Sequence, residues 1–89
     1  IKLEISSRRV TLDGKPLQLT PKEFDLLLAL MQNRGKVLTR TFLLETIWGY
    51  SFAGDSRVVD SHIKKLRSKV SPYSSNIKTV ISIGYKLEE

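Results

Sequence analysis

Val59, Ile63, Leu66 and Val70 follow one another at spacings of four, three and four, which at about 100° per residue draws one unbroken apolar stripe along a helix over residues 57–70. Pro72 marks its end. A helix of this kind has to bury its stripe, and 89 residues offer room for a single core to receive it. Its opposite face is centred on Arg57, Ser61, Lys64 and Ser68, with Asp60 and Lys65 at the margins. Long cations and short hydroxyls there have the size and chemistry to enter a DNA major groove. Lysine reaches guanine O6 and N7, Asp60 can accept from cytosine N4, and Ser61 allows close approach. A solvated amphipathic helix shows the same charge pattern, so the elements around it decide.

Upstream, Ile1, Leu3 and Ile5 alternate with the period of a half-buried strand, and Val10 and Leu12 continue the theme. Asp13-Gly14 is a two-residue hairpin signal, and Pro16 belongs on an edge strand, where its missing N–H does no harm. Thr20-Pro21-Lys22-Glu23 combines a capping hydroxyl, a proline for the first helical position and a glutamate that reaches back to the cap. Phe24, Leu27, Leu28 and Met31 carry that helix to about Asn33, where Gly35 can end it. After Val37-Leu38, Thr39 caps a second helix bearing Phe42, Leu43, Leu44, Ile47 and Trp48, closed by Gly49. Its broad apolar face predicts that it is largely buried. Residues 50–56 have no period and form a loop in which Asp55 or Ser56 caps the third helix. Ile77 to Ile83 is rich in β-branched residues, Gly84 offers a turn, and Tyr85-Lys86-Leu87 alternates again, predicting a hairpin over residues 77–87. A helix, a loop, a basic helix and a basic hairpin in succession make a helix-turn-helix with a wing.

The formal net charge of +6 is unevenly spread: residues 1–56 hold eight Lys/Arg against six Asp/Glu, residues 57–89 seven against three. Arg57, Lys64, Lys65, Arg67, Lys78 and Lys86 are the cations placed to neutralise phosphates. Without cysteine there is no disulfide or thiolate site, which suits a reducing cytoplasm. The run Leu26 to Met31 is too short to span a bilayer, and the opening residues suggest a strand rather than a signal peptide. His62, the single histidine, lies beside the stripe and is expected to be packed or hydrogen-bonded; no metal or cofactor is expected. Trp48 and Phe24 are expected in the core, and Glu23 in its cap. No nucleophile with a base, paired acids or phosphate loop can be assembled, so no enzyme is expected. A protein-binding winged helix would favour aromatic anchors on the third helix, and an RNA-binding domain exposed aromatics; neither is present.

The blocks Leu19-Thr20-Pro21-Lys22-Glu23-Phe24-Asp25-Leu26-Leu27, Val37-Leu38-Thr39-Arg40, Ile47-Trp48-Gly49-Tyr50, residues 57–67 and Ile83-Gly84-Tyr85-Lys86-Leu87 resemble the C-terminal effector domain of OmpR/PhoB-type two-component response regulators. The resemblance spans essentially the whole chain. It implies one α+β domain over residues 1–89, a winged helix-turn-helix with an N-terminal four-stranded antiparallel sheet, three helices and a C-terminal β-hairpin wing. It implies a job as well: sequence-specific binding of double-stranded DNA at promoters. An N-terminal receiver, phosphorylated through a cognate sensor kinase, would drive dimerisation onto tandem half-sites, while the isolated domain stays monomeric. By position, Arg57 would touch phosphate, Asp60, Ser61 and Lys64 would face base edges or backbone, and Lys65 would be the main base reader, with Arg67 and Ser68 on the same helix. Lys78, Thr79 and Lys86 would hold the backbone from the wing. Tyr50 and Phe52 correspond to the segment that can contact RNA polymerase, local packing being the alternative. Val80-Ile81-Ser82 departs from a family pattern of arginine and glycine after the valine, so Ile81 is expected to pack inward or against sugar.

Overall fold

The computed structural model describes residues 1–71 and 73–88, and Pro72, expected at the end of the third helix, lies outside them. Three strands, β1 (Lys2–Glu4), β2 (Arg9–Leu12) and β3 (Lys15–Leu17), form an antiparallel sheet in that order. Asp13 and Gly14 both have positive φ (51° and 81°), the conformation a two-residue hairpin turn requires, and Pro16 does lie on an edge strand. The described sheet has three strands, not the expected four. Residues 5–8 are spent on a turn in which the Arg8 N–H reaches the Ile5 carbonyl at 3.3 Å. After Leu17 the chain leaves the ladder to start a helix, so no segment is left to add a strand.

That helix, α1 (Pro21–Gln32), has the reciprocal cap: Thr20 Oγ1 accepts from Glu23 N–H (3.3 Å) and Glu23 Oε1 from Thr20 N–H (2.9 Å). Phe24, Leu26, Leu27 and Leu30 are buried in one core with α3 (Arg57–Lys69), whose stripe residues Val59, Ile63 and Leu66, with Val70 after them, are wholly enclosed. One contact had no local signal. Lys69 on α3 places Nζ 2.7 Å from the buried Glu23 Oε1. Burial pushes the Glu23 carboxyl upward, but the hydrogen bonds from Lys69 and Thr20 outweigh it and hold it below the ordinary carboxylate range. A depressed folded-state pKa contributes stability above the unfolded value, roughly 4.3, that is lost as pH falls through the folded value. Thermal melts should therefore be level from pH 7 to 5 and fall below about pH 4.3. Glu23→Gln should cost about 1–2 kcal/mol at pH 7 and flatten the acid limb; an unchanged acid limb would contradict this account.

Next come β4 (Leu38–Thr39) and α2 (Arg40–Leu43), with Thr39 Oγ1 accepting from Phe42 N–H at 3.0 Å. A π-helical turn, Leu44–Trp48, follows and closes at Gly49. The second helix is not largely buried as expected: Leu43 alone is fully enclosed, and Phe42 is 44% exposed. The wide π turn breaks the 3.6-residue period, so Leu44, Ile47 and Trp48 spread around the axis, each half-buried.

The C-terminal strands β5 (Ile77–Val80) and β6 (Gly84–Leu87) pair with β4 in the order β4-β6-β5. Gly84, expected in the wing turn, instead opens β6 opposite Thr39. A Cβ there would lie 2.0 Å from the Leu38 carbonyl oxygen. The turn proper is Val80 to Ile83, closed by Ile83 N–H to Val80 O at 2.9 Å with Ser82 left-handed (φ 66°) in its third place. Ile81 crowns it, 83% exposed, so it does not pack inward: a tight turn offers no interior at its crown.

Candidate nucleic-acid interface

The outward face of α3 begins at a cap made by Asp55 rather than Ser56. Asp55 Oδ1 accepts from Arg57 N–H (2.8 Å), and its other oxygen pairs with the Arg57 guanidinium at 2.9 Å. The Arg57 backbone and side-chain hydrogen bonds hold the Asp55 carboxyl below its usual range. Arg57, Ser61, Lys64, Lys65 and Ser68 are all exposed. Ser61 turns its hydroxyl back to the Arg57 carbonyl (3.2 Å), while Lys64 and Lys65 have no ion-pair partner among the described residues.

Two residues from the same helix turn inward. Asp60 Oδ1 accepts from Arg40 Nε at 2.8 Å and from the Tyr85 hydroxyl, tying α3 to the start of α2 and to β6. Burial raises the Asp60 pKa, but the Tyr85 hydroxyl and Arg40 together carry it below its ordinary value. Burial first, then the Asp60 bond, raises that of Tyr85. The carboxylate therefore stays charged and the phenol protonated at neutral pH. Arg67 donates to the Ile77 carbonyl (3.1 and 2.7 Å) and to Thr79 Oγ1 (2.7 Å), and the Arg40 and Arg67 guanidinium carbons stand 5.4 and 5.5 Å from the Tyr85 ring centre. Arg40 was not singled out by sequence. Its partners lie twenty positions away and more, beyond any helical or strand spacing.

In the wing, Thr79 faces Tyr85 across the ladder and Lys78 faces Lys86. Alternation puts the first pair on the α3 side and the two lysines on the other. Lys78 is exposed; Lys86 is held by Glu88 at 2.7 Å, which keeps the Glu88 carboxyl below its usual range. In the loop before α3, Tyr50 is 86% exposed, whereas the Phe52 ring lies 6.4 Å from Trp48 and over Gly54. His62 donates from Nδ1 to the Val58 carbonyl (2.8 Å) and sits edge-on to Trp48, the packed role expected of it. Among the described residues no helix is long and apolar enough to cross a membrane.

Residues 14–87 match the family model described as transcriptional regulatory protein, C terminal. The chain is 54% identical over 76 residues to the alkaline phosphatase synthesis transcriptional regulatory protein PhoP of Bacillus subtilis (strain 168), an overlap of 82% of this chain and 32% of that protein. It superposes on DrrB of Thermotoga maritima, an OmpR/PhoB homolog, with TM-score 0.88 and 38% identity over 98% of this chain and 41% of the other. On the Klebsiella pneumoniae RstA DNA-binding domain in complex with the RstA box, the TM-score is 0.86 at 31% identity, covering 97% and 88%. This chain thus spans about a third of the length of PhoP.

Proposed function

Because the chain belongs to the family of C-terminal DNA-binding domains of OmpR/PhoB-type response regulators, we propose that it recognises promoter DNA by laying α3 in the major groove, without catalysis. The observation that carries this reading is a division of labour along one helix. Asp60 and Arg67 are spent on holding the fold together, while Arg57, Lys64, Lys65, Ser61 and Ser68 face outward. Lys65 is the base reader, a point charge without the planar fork that lets arginine grip guanine twice. Arg57 and Lys64 hold phosphates, Ser61 and Ser68 let the helix come close, and Lys78, Thr79 and Lys86 serve the backbone from the wing. Asp60 and Arg67 are positioning residues that keep helix and wing in register.

In the whole protein, an N-terminal receiver phosphorylated through a cognate sensor kinase would bring two copies onto tandem half-sites about 10–10.5 base pairs apart, in the cytoplasm. The chain studied alone would be monomeric. Tyr50, which makes no hydrogen bond or ring contact among the described residues, fits an RNA polymerase contact better than Phe52, which local packing accounts for.

The test is selection of duplexes from a random pool followed by affinity measurements. Lys65→Ala should relax preference at one base position by about 1–3 kcal/mol, while Lys78→Ala should weaken all duplexes about equally. A pool that stays flat, or equal losses on every duplex for both variants, would count against the assignment.

A further inference from the structure

The outward cations of α3 are not equally free. Lys64 and Lys65 have no ion-pair partner among the described residues, whereas Arg57 already holds an anion. Asp55 meets three of its donors with two oxygens. Oδ1 accepts from the Arg57 N–H at 2.8 Å, the first amide of the helix, and Oδ2 takes Nε and Nη2 of the guanidinium, each at 2.9 Å. An amide at a helix start and a guanidinium fork are groups with which proteins grip phosphate. The carboxylate therefore stands where a phosphate oxygen pair would, at the leading end of the face that meets DNA. It is firmly presented and weakly held. Val58 N–H to the Asp55 carbonyl (3.1 Å) and Val59 N–H to the Ser56 carbonyl (3.0 Å) fix the turn that carries it. The Arg57 and Asp55 side chains, however, are 84% and 55% exposed, so water and salt compete for the pair. A phosphate on a duplex, one of a dense array of charges, displaces a single solvated carboxylate.

We propose that Asp55 is an autoinhibitory anion, an internal stand-in for a DNA phosphate from which Arg57 is exchanged onto the backbone as α3 docks. The proposal rests on the reading that α3 enters the major groove. Docking then gives up one intramolecular contact and leaves a bare carboxylate facing the polyanion. Both effects lower affinity, and neither depends on base sequence. Asp55 thus restrains the backbone grip of the helix while leaving the base-reading Lys65 untouched.

The experiment uses the 89-residue chain, a duplex from the selected pool and single-base variants of that duplex, with affinities taken across a salt series. Asp55→Asn keeps an oxygen for the Arg57 N–H and removes the charge, and melting curves verify that the cap survives. It should bind roughly fivefold more tightly at low salt, the ceiling for releasing an exposed pair. The gain should shrink as salt rises and be the same on every base variant. In an Arg57→Ala background, the same substitution should gain about twofold or less, because only the repulsion between carboxylate and phosphate is left to remove. Unchanged or weaker binding by Asp55→Asn would overturn the proposal, weaker binding showing that the carboxylate positions Arg57 rather than competing for it. An equal gain with and without Arg57, or a gain confined to one base variant, would overturn it as well, with α3 keeping its role. A native chain that selects no duplex would instead overturn the major-groove reading, and this proposal with it.

Discussion

Raising monovalent salt from 50 to 200 mM should weaken binding to a selected duplex by about 250-fold for a log–log slope of −4, and about 1000-fold for a slope of −5. The expectation follows from counting which cations the fold leaves free. Lys69 is held by Glu23, Arg40 by Asp60, and Arg67 by the Ile77 carbonyl and Thr79. Lys64, Lys65 and Lys78 are exposed and unpaired among the described residues, and Arg57 is exposed with only the solvent-facing Asp55 opposite it. Lys86 can join them by leaving Glu88, since exposed ion pairs are worth roughly 0–1 kcal/mol. Arg57, Lys64, Lys78 and Lys86 neutralise about four phosphates at about 0.9 each, and the counterions Lys65 displaces at the base edge bring the slope to about −4. Fluorescence anisotropy titrations at fixed temperature read it directly. A slope near zero would show that the basic C-terminal third is not the DNA-facing surface. A slope steeper than about −6 would mean that cations beyond those of α3 and the wing also meet phosphate.

The features legible in the sequence are those written in short-range spacing. The stripe Val59, Ile63, Leu66, Val70 is a local rule, as are the Thr20–Glu23 cap and the Asp13-Gly14 turn, and all three are built as expected. The outward cations of α3 follow from the stripe, because a helix with one side buried has only one other to show. What escaped is non-local. Leu38-Thr39 is too short to carry a period and becomes a strand only by pairing with Tyr85 and Gly84, some forty-five positions on. Asp60 has the composition of a groove-facing acid, and only the approach of Arg40 and Tyr85 from other elements turns it inward. The π turn after α2 likewise leaves the apolar residues looking helical in sequence while rotating them off a single face.

Gly84 is where local and non-local readings diverge most, and Gly84→Ala should be the most damaging conservative substitution in the wing. A methyl group there would sit 2.0 Å from the Leu38 carbonyl oxygen and 2.9 Å from both the Leu38 carbonyl carbon and Thr39 Cα. These are backbone atoms and cannot swing aside. The β4–β6 pairing has to open, taking with it the buried Leu38 and the Tyr85 ring whose hydroxyl binds Asp60. Overpacking costs of about 1–3 kcal/mol apply where side chains can yield; here the expected loss is about 3 kcal/mol or more, out of a total of roughly 4–13 kcal/mol for a domain this size. The melting temperature should fall by about 12–24 °C. Gly14→Ala supplies the contrast: Gly14, unlike Gly84, has a left-handed backbone (φ +81°) but nothing within 4 Å of an added Cβ, so only the backbone conformation is penalised, at about 1–2 kcal/mol. Thermal melts of the two variants side by side separate crowding from conformational freedom. If Gly84→Ala loses no more than Gly14→Ala, the close approach of β4 is not what holds the wing. If it loses far more, affinity for the selected duplex, measured at a temperature where the variant is still folded, should drop as well, because the wing and its lysines are no longer carried at a fixed offset from α3.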